Sequence, residues 1–166
     1  RRHKKSIIAV GRLMPVKRYD LLINACAEIP ECRLTIVGEG PEKQNLENLA
    51  KERKLALNLT GNLPNEKLPQ VLHEQQIFAI TSSWEGHPMA LIEAMACGMP
   101  CLCVDDIGIR SIIESGMNGW LVKASHSHLV NGISTLLGSR ILRENLSRGA
   151  RKFVLGRYGF NTCFSR

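Results

Sequence analysis

The 166-residue sequence has few aromatic residues and no long hydrophobic run. It contains 4 Phe, 2 Trp and 2 Tyr, and no apolar stretch approaches the roughly 18 residues that span a bilayer. The basic start, Arg1 to Lys5, is followed directly by strand-like sequence and not by the apolar core of a signal peptide. We therefore expect a cytoplasmic protein in which residues 1–166 form a single globular domain with its own core.

The sequence also lacks the common signatures of disulfide scaffolds and metal enzymes. The densest cysteine group, Cys97, Cys101 and Cys103, has no second CxxC and no histidine pair at zinc spacing. His73 and Glu74 are followed by Ile77, so the zinc motif H-E-x-x-H fails. Walker loops and serine-nucleophile elbows are absent too. We predict no metal site and buried, reduced thiols at the six cysteines, which are Cys26, Cys32, Cys97, Cys101, Cys103 and Cys163.

Positive charge is in excess, with 22 Lys+Arg against 15 Asp+Glu and a formal net charge of +7. This balance favours anionic partners: nucleic acid, an anionic membrane surface or a phosphorylated small molecule. The only dense basic run is residues 1–5, and it is not interleaved with aromatic residues. That pattern argues against nucleic-acid binding.

Apolar runs recur along the chain and predict buried strands. Each has about four consecutive apolar positions, so both faces of the strand would be covered, as in a parallel sheet packed between helices. The runs are Ser6–Gly11, Cys32–Gly38, Gln76–Ser82 and Pro100–Asp105, with a shorter strand expected at Gly119–Val122.

Segments with helical periodicity separate these runs. They are Asp20–Ile29, Glu42–Leu55, a helix beginning near Leu68, Pro88–Cys97, His126–Leu137 and Ser139–Arg157. Pro88 suits a first helical position and Gly98 a helix stop, while Ser111 and Glu114 have the spacing of a capping box. The alternation predicts a doubly wound, Rossmann-like α/β domain, whose ligand binds at the carboxyl ends of the strands.

The residues that follow the first two apolar runs are charged or glycine-rich. Gly11 and Arg12 are followed five residues later by Lys17, and a guanidinium with an ammonium suits a diphosphate; two solvated surface charges are the alternative. Gly38 begins a segment like the dinucleotide fingerprint G-x-G-x-x-G, but Lys43 occupies the last glycine position. This departure argues against a nicotinamide or flavin site and leaves either a tight turn or a loop that lines another nucleotide.

Residues 82–100 carry the strongest functional signal. Glu85 precedes the predicted helix and Glu93 lies on it, roughly 7 Å of axial rise beyond Pro88. The helix N-terminus between them favours an anion, and the two carboxylates can accept hydrogen bonds from sugar hydroxyls. We interpret Trp84 as a core residue, with a stacking platform as the alternative.

Together these motifs resemble the C-terminal, donor-binding half of a GT-B glycosyltransferase, in particular the retaining family 4 enzymes of glycosyl transferases group 1. The resemblance runs from about Ser6 to Tyr158 and implies an acceptor-binding domain N-terminal to this one. The residues that carry it are Gly11 and Arg12 with Lys17, the segment Leu34–Glu42, Gly61 before a turn, Glu85 and Glu93 at E-x7-E spacing, Glu93–Pro100 and Asn118–Val122.

The resemblance implies that Arg12 and Lys17 hold the diphosphate of a nucleotide-sugar and act in catalysis with Glu85. Glu85 would face the transferred sugar, and Glu93 would bind the ribose. The other implied donor contacts are Gly11, Gly38, Leu63, Gly86 and the amides of His87, Met89 and Ala90. It also implies UDP or GDP as the nucleotide, with no metal or further cofactor, because Arg12, Lys17 and the helix dipole would stabilise the leaving diphosphate.

The implied reaction is transfer of a sugar, with retention, to a saccharide or lipid-linked acceptor in cell-surface polysaccharide or lipopolysaccharide biosynthesis. We expect this chain to bind the donor without transferring sugar, at the cytoplasmic face of a membrane, with no nucleic-acid partner. A GT-B-like epimerase or phosphorylase, which shares the fold, and a non-catalytic anion-binding module are the alternatives. Arg18 departs from the family pattern, since many relatives have glycine there.

Overall fold

Six parallel strands form one sheet in the computed structural model, which describes residues 5–86 and 88–159. The strands are β1 (Ser6–Val10), β2 (Arg33–Val37), β3 (Ala56–Gly61), β4 (Ile77–Ile80), β5 (Cys101–Val104) and β6 (Trp120–Val122). Their order across the sheet is β3-β2-β1-β4-β5-β6, and every neighbouring pair is parallel. The predicted doubly wound parallel sheet is confirmed.

Helices connect successive strands and cover both faces of the sheet. They are α1 (Tyr19–Ala27), α2 (Lys43–Glu52), α3 (Leu68–His73), α4 (Met89–Ala96), α5 (Ile107–Arg110), α6 (His126–Gly138) and α7 (Arg140–Tyr158). Single turns of 3-10 helix occupy Pro15–Lys17 and Asn65–Lys67. None of the helices within the described ranges is long and apolar enough to cross a bilayer.

The strands bury alternate residues on opposite sides of the sheet. On β4, Ile77 and Ala79 join a core cluster with α1, α2 and α6, whereas Phe78 and Ile80 join a second cluster with α3 and α4. Helix α7 contributes to both clusters. This double burial explains why the central strands appear as continuous apolar runs in the sequence.

The chain reverses its direction of growth at the centre of the sheet. It builds outward from β1 through β2 to β3, and then returns to place β4 on the other side of β1. In open α/β sheets, such a switch point leaves a crevice at the carboxyl ends of the two central strands. The loops that follow β1 and β4 border that crevice.

The cysteines that the structure describes are free and buried, as the sequence predicts; they are Cys26, Cys32, Cys97, Cys101 and Cys103. Cys163 lies outside the described residues. Burial raises the pKa of both Cys101 and Cys103. These thiols therefore behave as small core side chains.

Three local predictions were incomplete or wrong. Strand β3 has no continuous apolar run because it lies at the sheet edge, where exposed and half-buried residues alternate. Ser111 does not begin a helix: α5 ends just before it, and its hydroxyl donates to the Gly108 carbonyl at 2.7 Å. Pro88 is the N-cap of α4 and not its first residue, since its ψ of 70° is not helical.

Candidate functional site

The loops after β1 and β4 are joined by hydrogen bonds at the switch point. The buried Thr81 hydroxyl donates to the carbonyls of Lys17 at 2.8 Å and Arg18 at 3.0 Å. The backbone N–H of Ser83 donates to the Val16 carbonyl at 2.9 Å. These bonds fix the position of the Lys17 backbone relative to the start of the loop that carries Glu85.

Lys17 and Glu85 form an ion pair across the crevice. Lys17 Nζ lies 2.9 Å from Glu85 Oε1, and the Ser82 hydroxyl donates to the same oxygen at 2.5 Å. The side chains of Lys17 and Glu85 are 25% and 11% exposed, so the pair is partly desolvated. Because both hydrogen bonds converge on Oε1, they hold the carboxylate in one orientation.

The backbone of Glu85 is held by the loop that follows β5. Its N–H donates at 3.3 Å to Asp106 Oδ2, which also accepts the Gly108 N–H at 3.1 Å and so caps α5. A Cβ on Gly108 would lie 1.9 Å from the Glu85 carbonyl oxygen. Glycine at position 108 therefore allows the two backbones to come this close.

Tyr19 lies beneath the ion pair. Burial, and next the nearby charge of Glu85, raise the pKa of the Tyr19 phenol well above its ordinary range. A Cβ on Gly11 would lie 2.8 Å from Tyr19 Oη and 3.3 Å from Lys17 Cε, at a φ of 155° that L side chains rarely adopt. Glycine at position 11 thus leaves the space that the Tyr19 and Lys17 side chains occupy.

The glycines after β2 pack against the loop after β1. Gly38 is buried, and a Cβ there would lie 2.0 Å from the Gly11 carbonyl oxygen; a Cβ on Gly40 would lie 2.5 Å from the Leu13 carbonyl oxygen. The incomplete fingerprint in the sequence therefore corresponds to close packing of two loops. A direct contact between Gly38 and a nucleotide stays a prediction.

Helix α4 begins near Glu85. Its N-cap residue, Pro88, makes no side-chain hydrogen bond to the first amides of the helix. Met89 is 44% exposed and Ala90 is half-buried at this helix start. Glu93, one turn further along, is half-buried, and desolvation raises the pKa of its carboxyl. Burial, and next the charge of Glu93, raise the pKa of Cys97 to about 11.

The remaining sequence-predicted residues surround this centre. Arg12 is exposed, Gly86 is exposed directly after Glu85, and Leu63 packs partly buried against the second core cluster. His87 lies outside the described residues. Within the two described ranges, no group of three or more His, Cys, Asp and Glu side chains is placed to hold a metal ion.

Arg18 and Trp84 differ from simple expectation. Arg18 adopts a left-handed backbone, with φ 51° and ψ 41°, which explains why glycine suits this position; its guanidinium pairs with Asp20 at 3.2 Å. Trp84 is 68% exposed, so its interpretation as a core residue is wrong.

Sequence reasoning missed the residues that support the ion pair. Thr81, Ser82, Tyr19 and Asp106 all contact or neighbour Lys17 or Glu85. The short hydroxyl pair at 81 and 82, directly after an apolar strand, was the available signal, because a buried hydroxyl needs a hydrogen-bond partner. Asp106 gave no comparable signal because its contact with Glu85 spans 21 positions.

The sequence of this chain matches a known protein family. The family model described as glycosyl transferases group 1 matches residues 1–153. The chain belongs to this family. Its structural neighbours are glycosyltransferases of the GT-B fold, so the resemblance to a C-terminal GT-B domain is confirmed.

Individual relatives match nearly the whole chain. An uncharacterized glycosyltransferase of Haemophilus influenzae is 29% identical over 153 residues, covering 89% of this chain and 43% of that protein. The amylovoran biosynthesis glycosyltransferase AmsD of Erwinia amylovora is 30% identical over 155 residues, covering 90% and 43%. The pneumococcal O-GlcNAc transferase GtfA, solved with UDP and GlcNAc, is 25% identical with a TM-score of 0.83, covering 93% and 33%. The chain thus spans less than half the length of each of these relatives.

Proposed function

We propose that this domain binds the nucleotide-diphosphate sugar donor of a retaining glycosyltransferase. The observation that carries the proposal is the Lys17–Glu85 contact of 2.9 Å at the switch point of the sheet. It places a cation for a diphosphate beside a carboxylate for a sugar hydroxyl, which are the two parts of such a donor. The family to which the chain belongs, and the UDP and GlcNAc bound by the pneumococcal relative, support the same assignment.

In the proposed complex, Arg12 and Lys17 contact the diphosphate, and the uncapped start of α4 adds its dipole. The amides of Met89 and Ala90, with that of His87, contact sugar and phosphate. Glu93 accepts the ribose hydroxyls, and Glu85 faces the transferred sugar. Gly11, Gly38, Leu63 and Gly86 line the donor. The nucleotide is UDP or GDP.

Lys17 changes partner when the donor binds in this proposal. Without a ligand, its ammonium neutralises Glu85; a diphosphate offers a second anion to the same ammonium. During transfer, negative charge grows on the leaving diphosphate, and the preorganised cations Arg12 and Lys17 stabilise it without a metal ion. The Ser82 hydroxyl keeps one hydrogen bond on Glu85 Oε1 while Lys17 shifts toward the phosphate.

The complete reaction belongs to a longer protein in this proposal, because the chain spans less than half of its relatives. A second, N-terminal domain supplies the contacts to a saccharide or lipid-linked acceptor. The match to AmsD, an amylovoran biosynthesis glycosyltransferase, supports a role in polysaccharide biosynthesis. We further propose that this polysaccharide is a cell-surface one and that the enzyme acts at the cytoplasmic face of the membrane. The combination of Arg12 and Lys17 with Glu85 and Glu93 at E-x7-E spacing favours transfer over a GT-B-like epimerase.

Calorimetric titration of UDP and of GDP into three site variants and one control variant tests the donor site. Arg12→Ala and Lys17→Ala should each weaken binding by about 1.5–3 kcal/mol, the usual range for hydrogen bonds to charged groups. The double variant should lose less than the sum of both, because the two side chains contact one anion. Lys43→Ala, on the exposed side of α2, is the matched single-charge control and should change little.

A variant that neutralises Arg1, Arg2 and Lys4 together tests the alternative of a diffuse basic surface. If the diphosphate site is specific, this change should weaken binding less than either single substitution, because it removes none of the charges assigned to the diphosphate. A non-catalytic module with a diffuse basic surface would show the reverse order, with affinity lost in proportion to the charge removed. That result would contradict the donor site.

A further inference from the structure

The hydroxyl of Tyr19 has no hydrogen-bond partner in the part of the chain that the structure describes. Tyr19 is the first residue of α1, is only 5% exposed, and its ring belongs to the core cluster of α1, α2 and α6. None of the hydrogen bonds within residues 5–86 and 88–159 involves its oxygen, Oη. Because a polar group in so buried a residue is normally paired, the unpaired hydroxyl needs an explanation.

The backbone at Gly11 locates this hydroxyl within the candidate site. A Cβ on Gly11 would lie 2.8 Å from Tyr19 Oη and 3.6 Å from Lys17 Nζ, so the two polar atoms border the same small space. Lys17 Nζ in turn lies 2.9 Å from Glu85 Oε1. The unpaired hydroxyl is therefore a neighbour of the ammonium to which the proposed function assigns a diphosphate.

The Tyr19 oxygen is also accessible. Among the described residues that are not exposed, Asn24 Oδ1 is the one side-chain oxygen or nitrogen that is both fully enclosed and unpaired. Tyr19 Oη is unpaired as well, so it is not fully enclosed, and the small exposed part of Tyr19 includes this atom. The chain thus covers the ring by its own packing and leaves the oxygen open to a ligand.

The backbone that carries Tyr19 is held in place. The Thr81 hydroxyl donates to the carbonyls of Lys17 at 2.8 Å and Arg18 at 3.0 Å, directly before Tyr19. The Arg18 carbonyl also accepts the Leu21 N–H at 3.1 Å, which closes the first turn of α1. A ligand that uses the hydroxyl therefore meets a group whose position is already fixed, which lowers the entropic cost of binding.

The Tyr19 hydroxyl is a hydrogen-bond donor at neutral pH. Burial, and next the charge of Glu85, raise the pKa of the Tyr19 phenol well above its ordinary value of about 10, so the proton stays on the oxygen. Negatively charged oxygens accept the strongest hydrogen bonds from such a donor. The nearest carboxylate, that of Glu85, already accepts from Lys17 and Ser82 on one oxygen. An anionic oxygen of a ligand is the partner that remains.

We propose that Tyr19 donates a hydrogen bond from Oη to the diphosphate of the donor, beside the contact made by Lys17. The inference rests on the proposed function and adds to it a binding residue that the family resemblance does not assign. A diphosphate that reaches Lys17 Nζ arrives next to an unpaired, protonated hydroxyl and provides its missing acceptor. Because this bond forms only in the complex, it stabilises the bound nucleotide and contributes nothing to the unliganded fold.

The substitution Tyr19→Phe tests the contact because it removes the hydroxyl and keeps the ring in the core. Calorimetric titration should show that the Kd of UDP and of GDP rises roughly tenfold to a hundredfold, the usual range for a hydrogen bond to a charged group. The Kd of inorganic pyrophosphate, the part that both nucleotides share, should rise by a similar factor. The Tm of the unliganded variant should be equal to that of the native chain or higher, since the fold loses no hydrogen bond.

The second tyrosine of the chain provides a matched control and a spectroscopic test. Tyr158→Phe makes the same chemical change at the end of α7 and should leave all three Kd values unchanged. It also leaves Tyr19 as the only tyrosine, so tyrosine labelled with 13C at Cζ, the carbon that bears the hydroxyl, gives a single NMR signal. We expect pyrophosphate to shift this signal in a saturable manner, with a midpoint at the calorimetric Kd.

A double-mutant cycle separates direct contact from an effect through the neighbouring carboxylate. In a Glu85→Gln background, Tyr19→Phe should weaken pyrophosphate binding by the same factor within about twofold, because the bond to phosphate does not involve Glu85. If the loss disappears in that background, the hydroxyl acts on Glu85 and the proposed contact is wrong.

Three further results would overturn the inference. These are Kd values that Tyr19→Phe leaves unchanged, equal losses for Tyr19→Phe and Tyr158→Phe, and a loss of affinity that comes with a lower Tm, which would show a structural role. Lys17→Ala in the same titrations separates the two proposals. If the native chain binds none of the three ligands, the proposed function fails and this inference with it; if Lys17→Ala weakens binding and Tyr19→Phe does not, only this inference fails.

Discussion

At the scale of single residues, the Lys17–Glu85 pair brings two charged groups together and also fixes the position of the Glu85 carboxylate. Oε1 of Glu85 accepts from both Lys17 and Ser82, so one carboxylate oxygen is committed to the protein. The pair is partly desolvated, and removal of one partner leaves an uncompensated charge in a poorly hydrated place. The consequences of a substitution therefore depend on which partner is removed.

The two site carboxylates should respond differently to neutralisation. Glu93→Gln should weaken binding of a free nucleoside diphosphate by about 1.5–3 kcal/mol, because the ribose loses a charged acceptor. Glu85→Gln should leave that affinity unchanged or slightly higher, since the sugar it faces is missing and Lys17 becomes more available to phosphate. Calorimetry with the two variants checks the assignment; equal losses would show that the roles are wrong.

Glu93 should also limit stability at neutral pH. Burial raises the pKa of its carboxyl in the folded state, so its contribution favours folding while it is protonated and is lost as pH rises through the raised pKa. Glu93→Gln should therefore raise the Tm at pH 7 and make no difference below the ordinary glutamate pKa of about 4.3. Thermal unfolding of both proteins across this pH range measures the effect, and a lower Tm for the variant at pH 7 would contradict it.

At the scale of elements, α7 packs closely against the loop before β6 at one of its glycines and not at another. A Cβ on Gly149 would lie 2.0 Å from the Met117 carbonyl oxygen, whereas nothing lies within 4 Å of a Cβ on Gly156. The loop that meets Gly149 is itself rigid: the buried Asn118 side chain donates to the Ile112 carbonyl at 2.9 Å and accepts the Glu114 N–H at 2.8 Å.

The same substitution should therefore have opposite signs within this one helix. Gly156→Ala should stabilise the protein by about 0.5–1 kcal/mol through helix propensity. Gly149→Ala should destabilise it by about 1–3 kcal/mol, because the methyl group overlaps a backbone oxygen that cannot move freely. Urea denaturation gives both values; a stabilising effect of Gly149→Ala would show that α7 is not seated as described.

At the scale of the whole molecule, the strand order brings chemistry from distant parts of the chain together. Lys17 follows β1 and Glu85 follows β4, and the two residues are 68 positions apart in sequence. Their strands are neighbours only because the chain returns to the centre of the sheet. The strand order therefore builds the crevice edge to which the proposed function assigns the donor.

The isolated chain should bind a nucleoside diphosphate but should not transfer sugar from a nucleotide-sugar. UDP or GDP at about 100 times its Kd should stabilise the fold by about 2.7 kcal/mol, seen as a rise in Tm. The same preparation, given a nucleotide-sugar and saccharide acceptors, should form no glycoside by mass spectrometry. Robust transfer by this chain alone would contradict the assignment of acceptor binding to another domain.

The periodicity of the sequence determined most of the architecture. Continuous apolar runs at β1, β2, β4 and β5 reflect burial on both faces, which is a local property of each strand. Helix α3 begins at Leu68 because Pro69 tolerates only the first turn. Edge strand β3 was missed for the same physical reason: its residues are partly exposed, so its sequence has no continuous apolar run.

Only the tertiary structure decided how the candidate site is assembled. The sequence contains Lys17 and Glu85 but not their contact, which depends on strand order and on loops held by Thr81 and Asp106. It likewise contains Trp84 but not its exposure, since an aromatic residue next to a buried strand has the same local pattern whether it faces core or solvent. Residue types and spacing are local, whereas contacts across the sheet and burial depend on the packing of the whole chain.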